Sequence, residues 1–255
     1  MKIFADQIII EVGRLCNLRC EHCLRGEMED KTVDIPTVKK FLKEFSRIET
    51  LTFTGGEPTL YENEIIKIID FVMKQEIPVG NFYIASNGLI KCPKLMLKLV
   101  EFYAYIDGDY AEELSQFQLS NDEFHDQVPE ENKRFFKGFS FYSERDYQDW
   151  SSNWLNEGRA QENGLGRGRT LNKQQAFSID YYDDEEYSVE MVYFNAEGYL
   201  LPDCDYSYKT QREMNPFKYG SKSLHEIFIT YNTKYDKYNL NDKEALERVL
   251  HKEVA

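Results

Sequence analysis

The chain has 255 residues, of which 42% are apolar, and its formal net charge is −14. This length is typical of one barrel-like α/β unit with an appendage. The acidic balance argues against a protein that neutralises nucleic-acid phosphates over a broad surface, so we expect no nucleic-acid partner.

Hydropathy and cysteine usage indicate a cellular compartment. No apolar run approaches the roughly eighteen residues that a membrane span needs, and no charged-then-apolar leader opens the chain. Five cysteines are an odd number, which does not suit a disulfide framework. We expect a cytoplasmic protein with reduced thiols and no membrane partner.

Acidic residues are concentrated between residues 101 and 150, a segment that contains 13 Asp and Glu residues but 4 Lys and Arg residues. A solvated face that keeps the protein soluble explains this concentration most simply. The alternative is a landing surface for a basic leader peptide or substrate. Both interpretations stay open at this point.

In the first half of the chain, apolar runs alternate regularly between strand and helix patterns. The predicted order is strand 7–12, helix 36–48, strand 49–54, helix 62–75, strand 81–86 and helix 93–105. Such alternation is the pattern of a parallel sheet covered by helices. Ligand sites in these folds gather at the carboxyl ends of the strands.

The second half is less regular. We predict strands at 116–120 and 138–142, an irregular glycine- and arginine-containing stretch at 149–169, and a β-hairpin whose strands 188–194 and 199–201 flank residues 195–198. A helix over 242–252 ends the chain. The division that follows is a core of residues 1–186 and a hairpin and helix extension of residues 187–255.

Three cysteines stand close together after the first predicted strand. Cys16, Cys20 and Cys23 are separated by three and then two residues. A [4Fe-4S] cluster normally takes four thiolates, so a group of three leaves one iron open to a small-molecule ligand. Unrelated core cysteines or a zinc knuckle are the alternatives, although zinc sites usually recruit a second ligand pair, which is missing here.

A second motif follows the second predicted strand, where Gly55, Gly56, Glu57 and Pro58 stand in succession. Two glycines at a strand end let the backbone approach a ligand without interference from a Cβ atom. Together with the cysteine spacing, this segment resembles the radical S-adenosylmethionine (SAM) superfamily. His22 fills the place of the aromatic or imidazole residue that precedes the last cysteine of that signature.

The resemblance implies a fold, two cofactors and a chemistry. The fold is a partial (βα)6 TIM-like barrel, here with a small C-terminal β-hairpin and helix extension. The cofactors are a [4Fe-4S] cluster on the three cysteines and SAM, whose methionine amino group is bound by the Gly-Gly-Glu-Pro segment. One electron cleaves SAM to a 5′-deoxyadenosyl radical that abstracts hydrogen from a substrate, and the cofactors carry this hard chemistry.

Further SAM contacts are implied by weaker similarities. Asn87 follows the third strand in a polar-Asn-Gly segment, Ser120 and Asp122 would reach the ribose and carboxylate, and Arg159 would meet the carboxylate. Each has a structural alternative, because Asn-Gly is a common turn, Asp122 can cap a strand end, and the arginine region can be a flexible loop. We interpret His125 as a structural or supporting residue rather than a base.

The tail resembles the SPASM or twitch extension of peptide-modifying maturases, but it is poor in cysteine. Cys204 is its single thiol, and with Cys92 it could supply at most two ligands, so a full auxiliary cluster is not expected. Cys204 could instead donate a hydrogen atom to a substrate radical. A buried inert cysteine is the alternative.

The overall expectation is an enzyme that modifies a peptide or ribosomally made precursor by cross-linking or epimerisation. Its partners would be that substrate and a one-electron donor such as flavodoxin or ferredoxin. An activase of glycyl-radical enzymes, a small-molecule or nucleoside radical SAM enzyme, and a non-enzymatic iron-sulfur sensor or scaffold are the alternatives.

Overall fold

A computed structural model describes residues 2–106, 114–120, 125, 127–145, 154–166, 175–181 and 186–235. Its strands are β1 (Lys2–Gly13), β2 (Phe45–Gly55), β3 (Val79–Ser86), β4 (Gln116–Leu119), β5 (Tyr142–Glu144), β6 (Ile179–Tyr181), β7 (Glu186–Phe194), β8 (Tyr199–Leu201) and β9 (Phe217–Lys218). Its helices are α1 (Ile35–Leu42), α2 (Glu62–Lys74), α3 (Pro93–Tyr105), α4 (Glu130–Phe136), α5 (Gly158–Glu162), α6 (Tyr208–Glu213) and α7 (Leu224–Tyr235).

One sheet organises these elements. Its order is β5-β4-β3-β2-β1-β7-β8-β9, and the strands from β5 to β7 along this path run parallel. The described strands form an open path rather than a closed barrel, which confirms the prediction of a partial α/β barrel. The carboxyl ends of β1, β2 and β3 therefore meet at one edge.

The central strand β1 owes its position to a continuous apolar run. Ile8, Ile9 and Ile10 are all buried, because neighbouring strands and packed layers cover both faces of a parallel sheet. The helices that cover the sheet are amphipathic. In α2 the buried side chains are Ile65, Ile68, Ile69 and Val72, which follow the helical repeat.

Helix α1 begins where the sequence predicts but ends earlier. The side chain of Asp34 accepts a hydrogen bond from the backbone N–H of Thr37 at 3.0 Å and caps the helix. The helix stops at Leu42, because Phe45 already pairs with Ile3 and begins strand β2. Tertiary pairing thus overrides the helical periodicity that continued to residue 48.

The second half differs more from the sequence prediction. Strand β5 begins at Tyr142, later than predicted, and α4, α5, α6 and α7 were not predicted. The hairpin is present, with Tyr193 and Phe194 of β7 paired antiparallel to Leu201 and Leu200 of β8. Strand β7 also pairs in parallel with β1 in the main sheet. The division at residues 186 and 187 stays a prediction, and the helix at 242–252 lies outside the described residues.

Candidate functional site

A cavity of about 800 Å³ lies at the carboxyl ends of β1, β2 and β3. It brings together most of the side chains singled out in the sequence, namely Cys16, Cys20, His22, Cys23, Gly55, Gly56, Glu57, Pro58, Asn87, Ser120, Arg159 and Cys204. Asp122 lies outside the described residues. The volume of the cavity falls in the range of roughly 300–1,000 Å³ that is usual for small-molecule sites.

The loop that carries the three cysteines is compact and irregular. The backbone N–H of Cys23 donates to the carbonyl of Cys20 at 3.2 Å, which closes a turn around His22. All three thiols are half-buried and outside any disulfide. The N–H of Leu18 donates to the Sγ of Cys16 at 3.4 Å, which is the kind of contact that stabilises a thiolate bound to iron.

The chemistry of this donor set fits an iron-sulfur cluster. Burial raises the pKa of Cys16 to about 11, so this thiol stays protonated at neutral pH until a metal displaces the proton. Three thiols facing one cavity, with one already receiving an N–H···S contact, suit a cluster that keeps an open iron. Cys16, Cys20 and Cys23 would be its ligands.

Helix α5 holds the cysteine loop from one side. The guanidinium of Arg159 donates to the carbonyls of Cys20 at 2.9 Å and Gly26 at 2.6 Å. Gly158 has a φ of +54°, and a Cβ there would come within 2.3 Å of the carbonyl oxygen of Leu24. The chain therefore needs a glycine at the point where α5 touches the loop. The direct contact of Arg159 with SAM stays a prediction.

Arg25 links the cysteine loop to the C-terminal extension. Its guanidinium donates to the carbonyls of Cys204 at 2.6 Å and Tyr206 at 2.8 Å. The same group lies over the ring of Tyr193, 5.1 Å from the centroid. Since these bonds end on backbone oxygens, they fix the path of the chain around Cys204 relative to the cysteine loop.

The Gly-Gly-Glu-Pro segment packs directly against the start of that loop. The N–H of Gly56 donates to the carbonyl of Gly13, and that of Glu57 to the carbonyl of Leu15, both at 2.9 Å. A Cβ at Gly56 would lie 2.2 Å from the carbonyl oxygen of Leu15. Only a glycine permits this approach, which brings the end of β2 and the cysteine loop into one wall.

The side chain of Glu57 points into the protein and is 2% exposed. Its Oε1 accepts from the N–H and the hydroxyl of Thr59 and from the hydroxyl of Ser86, and its Oε2 accepts from the N–H of Asn87 at 2.9 Å. The carboxylate thus joins the ends of β2 and β3. Contact between Glu57 and SAM stays a prediction.

Asn87 and Ser120 continue this edge of the cavity. The Nδ2 of Asn87 donates to the Oδ1 of Asn17 in the cysteine loop at 2.8 Å. The N–H of Ser120 donates to the carbonyl of Ser86 at 2.8 Å, which places this residue at the end of β4 in the cavity wall. Contact of Asn87 and Ser120 with SAM stays a prediction.

His22 packs in an aromatic cluster rather than alone. Its ring lies 4.3 Å from that of Trp154 and 5.1 Å from that of His125, measured between centroids. All three rings line the cavity. The three rings form one wall of the cavity, and the supporting role of His125 stays a prediction.

Beneath the cysteine loop lies a network around the fully buried Arg14. Its guanidinium bonds to Glu11, to Glu29 at 2.7 Å, to Glu197 at 2.9 Å and to Gln211 at 3.0 Å. Three acidic partners compensate the cost of burying this cation. The network ties the end of β1 to the hairpin and α6.

Cys204 lines the same cavity as the three loop cysteines. Its pKa is raised to about 12, chiefly by burial and then by the charge of Asp205. Its Sγ therefore keeps its proton at neutral pH. Cys92, in contrast, is buried at the start of α3 and does not line the cavity.

Sequence reasoning missed several residues of this site, among them Arg14, Arg25, Trp154 and Tyr208. Arg14 and Arg25 flank the cysteine motif, and this proximity in sequence was the one signal that could have identified them as residues of the site. Trp154 stands in an irregular stretch, and Tyr208 in a helix that was not predicted. Only the fold brings these two side chains to the cavity.

No helix among the described residues combines the length and apolar composition needed to cross a membrane. Residues 10–113 match the family model of the Radical SAM superfamily. An uncharacterized protein of Methanocaldococcus jannaschii, MJ0907, is 34% identical over 67 residues, which is 25% of this chain and 23% of that protein.

Two solved structures show more distant similarity. Streptococcus suis SuiB bound to its precursor peptide SuiA has 12% identity and a TM-score of 0.40, over 92% of this chain and 65% of SuiB. Native anSMEcpe with bound AdoMet and Cp18Cys peptide has 13% identity and a TM-score of 0.36, over 91% of this chain and 84% of that chain. The chain thus spans a quarter or less of MJ0907 and about two thirds of SuiB.

Proposed function

We propose that this chain, whose residues 10–113 belong to the Radical SAM superfamily, binds a [4Fe-4S] cluster and SAM and abstracts hydrogen from a peptide substrate. The observation that carries the proposal is the shared cavity. Three thiols from one loop and the backbone of the Gly-Gly-Glu-Pro segment line the same space of about 800 Å³. Three thiolates would leave one iron of the cluster open, and the Gly-Gly-Glu-Pro segment lies in the cavity where a ligand of that iron would bind.

The chain's own residues would bind, orient and shield the reacting groups. Cys16, Cys20 and Cys23 would hold the irons, while the edge from Gly55 to Pro58, with Asn87 and Ser120, would orient SAM. When bound, the cluster supplies an electron and SAM supplies the radical that takes hydrogen from the substrate. The ring wall of His22, Trp154 and His125 would exclude water from that radical.

Polar side chains of the sheet that line the cavity support a peptide as the substrate class. Gln7, Thr52 and Tyr83 line the cavity along three neighbouring strands. Gln7 donates to the hydroxyl of Thr52 at 3.1 Å, and Tyr83 donates to Gln118 at 2.7 Å. These neutral amide and hydroxyl groups match the alternating donors and acceptors of a peptide backbone.

Cys204 would act as the hydrogen donor in an epimerisation. Its S–H bond would break homolytically, the hydrogen atom would pass to the substrate radical, and the thiyl left behind would regain an electron and a proton. Flavodoxin or ferredoxin would supply the electrons. Support for this role is the protonated thiol of Cys204 at the cavity wall.

Anaerobic reconstitution tests the cofactor part of the proposal. We expect about four irons per chain in the wild type and, with reductant and SAM, release of 5′-deoxyadenosine. Cys16→Ala, Cys20→Ala and Cys23→Ala should each abolish that release. Cys92→Ala is the matched control, because this buried thiol lies away from the cavity and its loss should leave the iron content unchanged. Cluster binding without 5′-deoxyadenosine would refute the enzymatic proposal.

Mass spectrometry of peptides incubated with the reconstituted protein tests the substrate and donor parts. In deuterated water, an epimerised residue should gain one deuteron in the wild type, because the Cys204 thiol exchanges with solvent. Cys204→Ala should still release 5′-deoxyadenosine but form no epimerised product. Unchanged product formation in this variant would refute the donor role.

A further inference from the structure

Tyr208 carries a buried hydroxyl group that the function proposed above does not use. The side chain is 2% exposed, and its oxygen has no hydrogen-bond partner among the described residues. A buried polar group left without a partner costs about 1–3 kcal/mol. Such a group calls for an acceptor that the protein alone does not provide.

The position of Tyr208 connects it to the cysteine loop. It lines the same cavity as Cys23, and its backbone N–H donates to the carbonyl of Arg25 at 3.1 Å. The guanidinium of Arg14 lies over its ring, 4.4 Å from the centroid. The ring therefore packs on the Arg14 guanidinium, and the backbone of Tyr208 is tied to Arg25, which follows the cysteine motif.

The surrounding protein groups are poor acceptors for this hydroxyl. The hydroxyl itself keeps its proton and needs an acceptor. Burial raises the pKa of Tyr208 above its usual value, and the charges of Glu11 and Cys23 raise this pKa further while the charge of Arg25 lowers it. Glu11 already accepts from Arg14, Tyr193, Gln211 and the backbone of Ala196. The two nearby arginines have no acceptor atom.

Other buried side-chain oxygens that lack a hydrogen-bond partner among the described residues lie away from the cavity. Ser115 and Glu62 also have a side-chain oxygen without a partner among the described residues, but neither lines the cavity. The combination of an unpartnered hydroxyl with a place at the cysteine end of the cavity belongs to Tyr208. Cys23 lines the same cavity and its charge acts on the Tyr208 hydroxyl, so a cluster held by Cys23 would bring a sulfur acceptor to this end of the cavity.

We propose that the Tyr208 hydroxyl donates a hydrogen bond to the Cys23 thiolate or to a sulfide of the bound cluster, and thereby raises the reduction potential of that cluster. Hydrogen bonds to the sulfurs stabilise the more negative, reduced state. Tyr208 would be a positioning residue for electron transfer. This inference rests on the cluster of the proposed function.

Redox titration of the reconstituted protein, followed by the EPR signal of the reduced cluster, tests the inference. Tyr208→Phe should bind the same amount of iron but shift the midpoint potential to more negative values. Loss of one such bond should lower the ratio of reduced to oxidised cluster about tenfold at fixed potential, which is about 59 mV for a one-electron couple. Tyr206→Phe is the matched control, because the hydroxyl of this buried tyrosine donates to Gln175 at 2.8 Å.

A second substitution is expected to shift the midpoint potential in the opposite direction, so the test does not depend on the phenylalanine variant alone. Replacing Tyr208 with difluorotyrosine keeps the ring and makes the phenol a stronger donor, so the potential should move to less negative values. Potentials equal to that of the wild type in either variant with a full cluster would overturn the inference. This result would leave the proposed function intact, whereas a wild-type chain that binds no cluster would refute the proposed function itself.

Discussion

The carboxylate of Glu57 accepts a hydrogen bond from the backbone N–H of Asn87 at 2.9 Å and so joins the ends of two neighbouring strands. With the donors from Thr59 and Ser86, four hydrogen bonds converge on one buried side chain. Because Asn87 also bonds to Asn17, the cysteine loop depends on the same link. Glu57 therefore supports this edge of the cavity through the hydrogen bonds of its side chain.

Glu57→Gln should destabilise the cluster-free protein. The amide NH₂ would face a group that is itself a donor, so at least one buried donor would lose its acceptor, at a cost of about 1–3 kcal/mol. Urea unfolding followed by circular dichroism measures this cost. Glu64→Gln is the control, since the ion pair of this helix residue with Lys67 spans 3.8 Å, and its effect should stay within about 0.5 kcal/mol. Equal unfolding midpoints in the two variants would contradict the prediction.

The cysteine spacing and the Gly-Gly-Glu-Pro segment are readable in the sequence, because each is a local pattern whose residue types are needed for its chemistry. The contacts of Arg25 and Arg159 are different. Both arginines donate to backbone carbonyls, and an acceptor that every residue possesses leaves no mark in the sequence. The alternation of strand and helix patterns likewise predicted the parallel sheet. Short helices such as α6, in contrast, depend on tertiary contacts.

Gly158→Ala should weaken cluster binding. A methyl group there would lie 2.3 Å from the carbonyl oxygen of Leu24, so either α5 or the cysteine loop must move. We expect a lower iron content after reconstitution under limiting iron. Gly164→Ala is a matched control, because this glycine also has a positive φ, of +68°, but no atom within 4 Å of its added Cβ. If both variants lost iron equally, backbone strain rather than the contact with Leu24 would be responsible.

Arg25→Met should expose Cys204. The substitution removes the donors to the carbonyls of Cys204 and Tyr206 while it keeps an apolar side chain of similar length. Weaker tethering should make local opening more frequent, and alkylation of Cys204 by iodoacetamide should accelerate about tenfold. Mass spectrometry of the peptide that contains Cys204 measures the rate.

The control for this experiment is Arg19→Met, because Arg19 lies in the same loop but its side chain is 70% exposed and pairs with Glu27 at the surface. This variant should leave the alkylation rate of Cys204 unchanged. A rate in Arg25→Met no higher than in the control would show that the two carbonyl contacts do not protect the thiol.

The buried thiol of Cys92 should make the stability of the cluster-free protein fall at high pH. Burial raises its pKa from 9.0 to about 12. Below pH 9 the thiol is neutral in both states and its ionisation does not affect folding. Between pH 9 and 12 the unfolded chain loses the proton while the folded chain keeps it, so stability decreases as the pH rises.

Cys92→Ala removes this ionisation, and its stability deficit relative to the wild type should shrink by about 2 kcal/mol between pH 8 and pH 10.5. Anaerobic urea unfolding at the two pH values measures the change, and because the cavity left by the substitution is present at both, its cost cancels. Val72→Ala, which also truncates a fully buried side chain but removes no titratable group, should show a deficit that is the same at both pH values. If the deficit of Cys92→Ala were equally constant, the folded-state pKa of this thiol would have to lie near 9, and Cys92 would be accessible to water despite its 2% exposure.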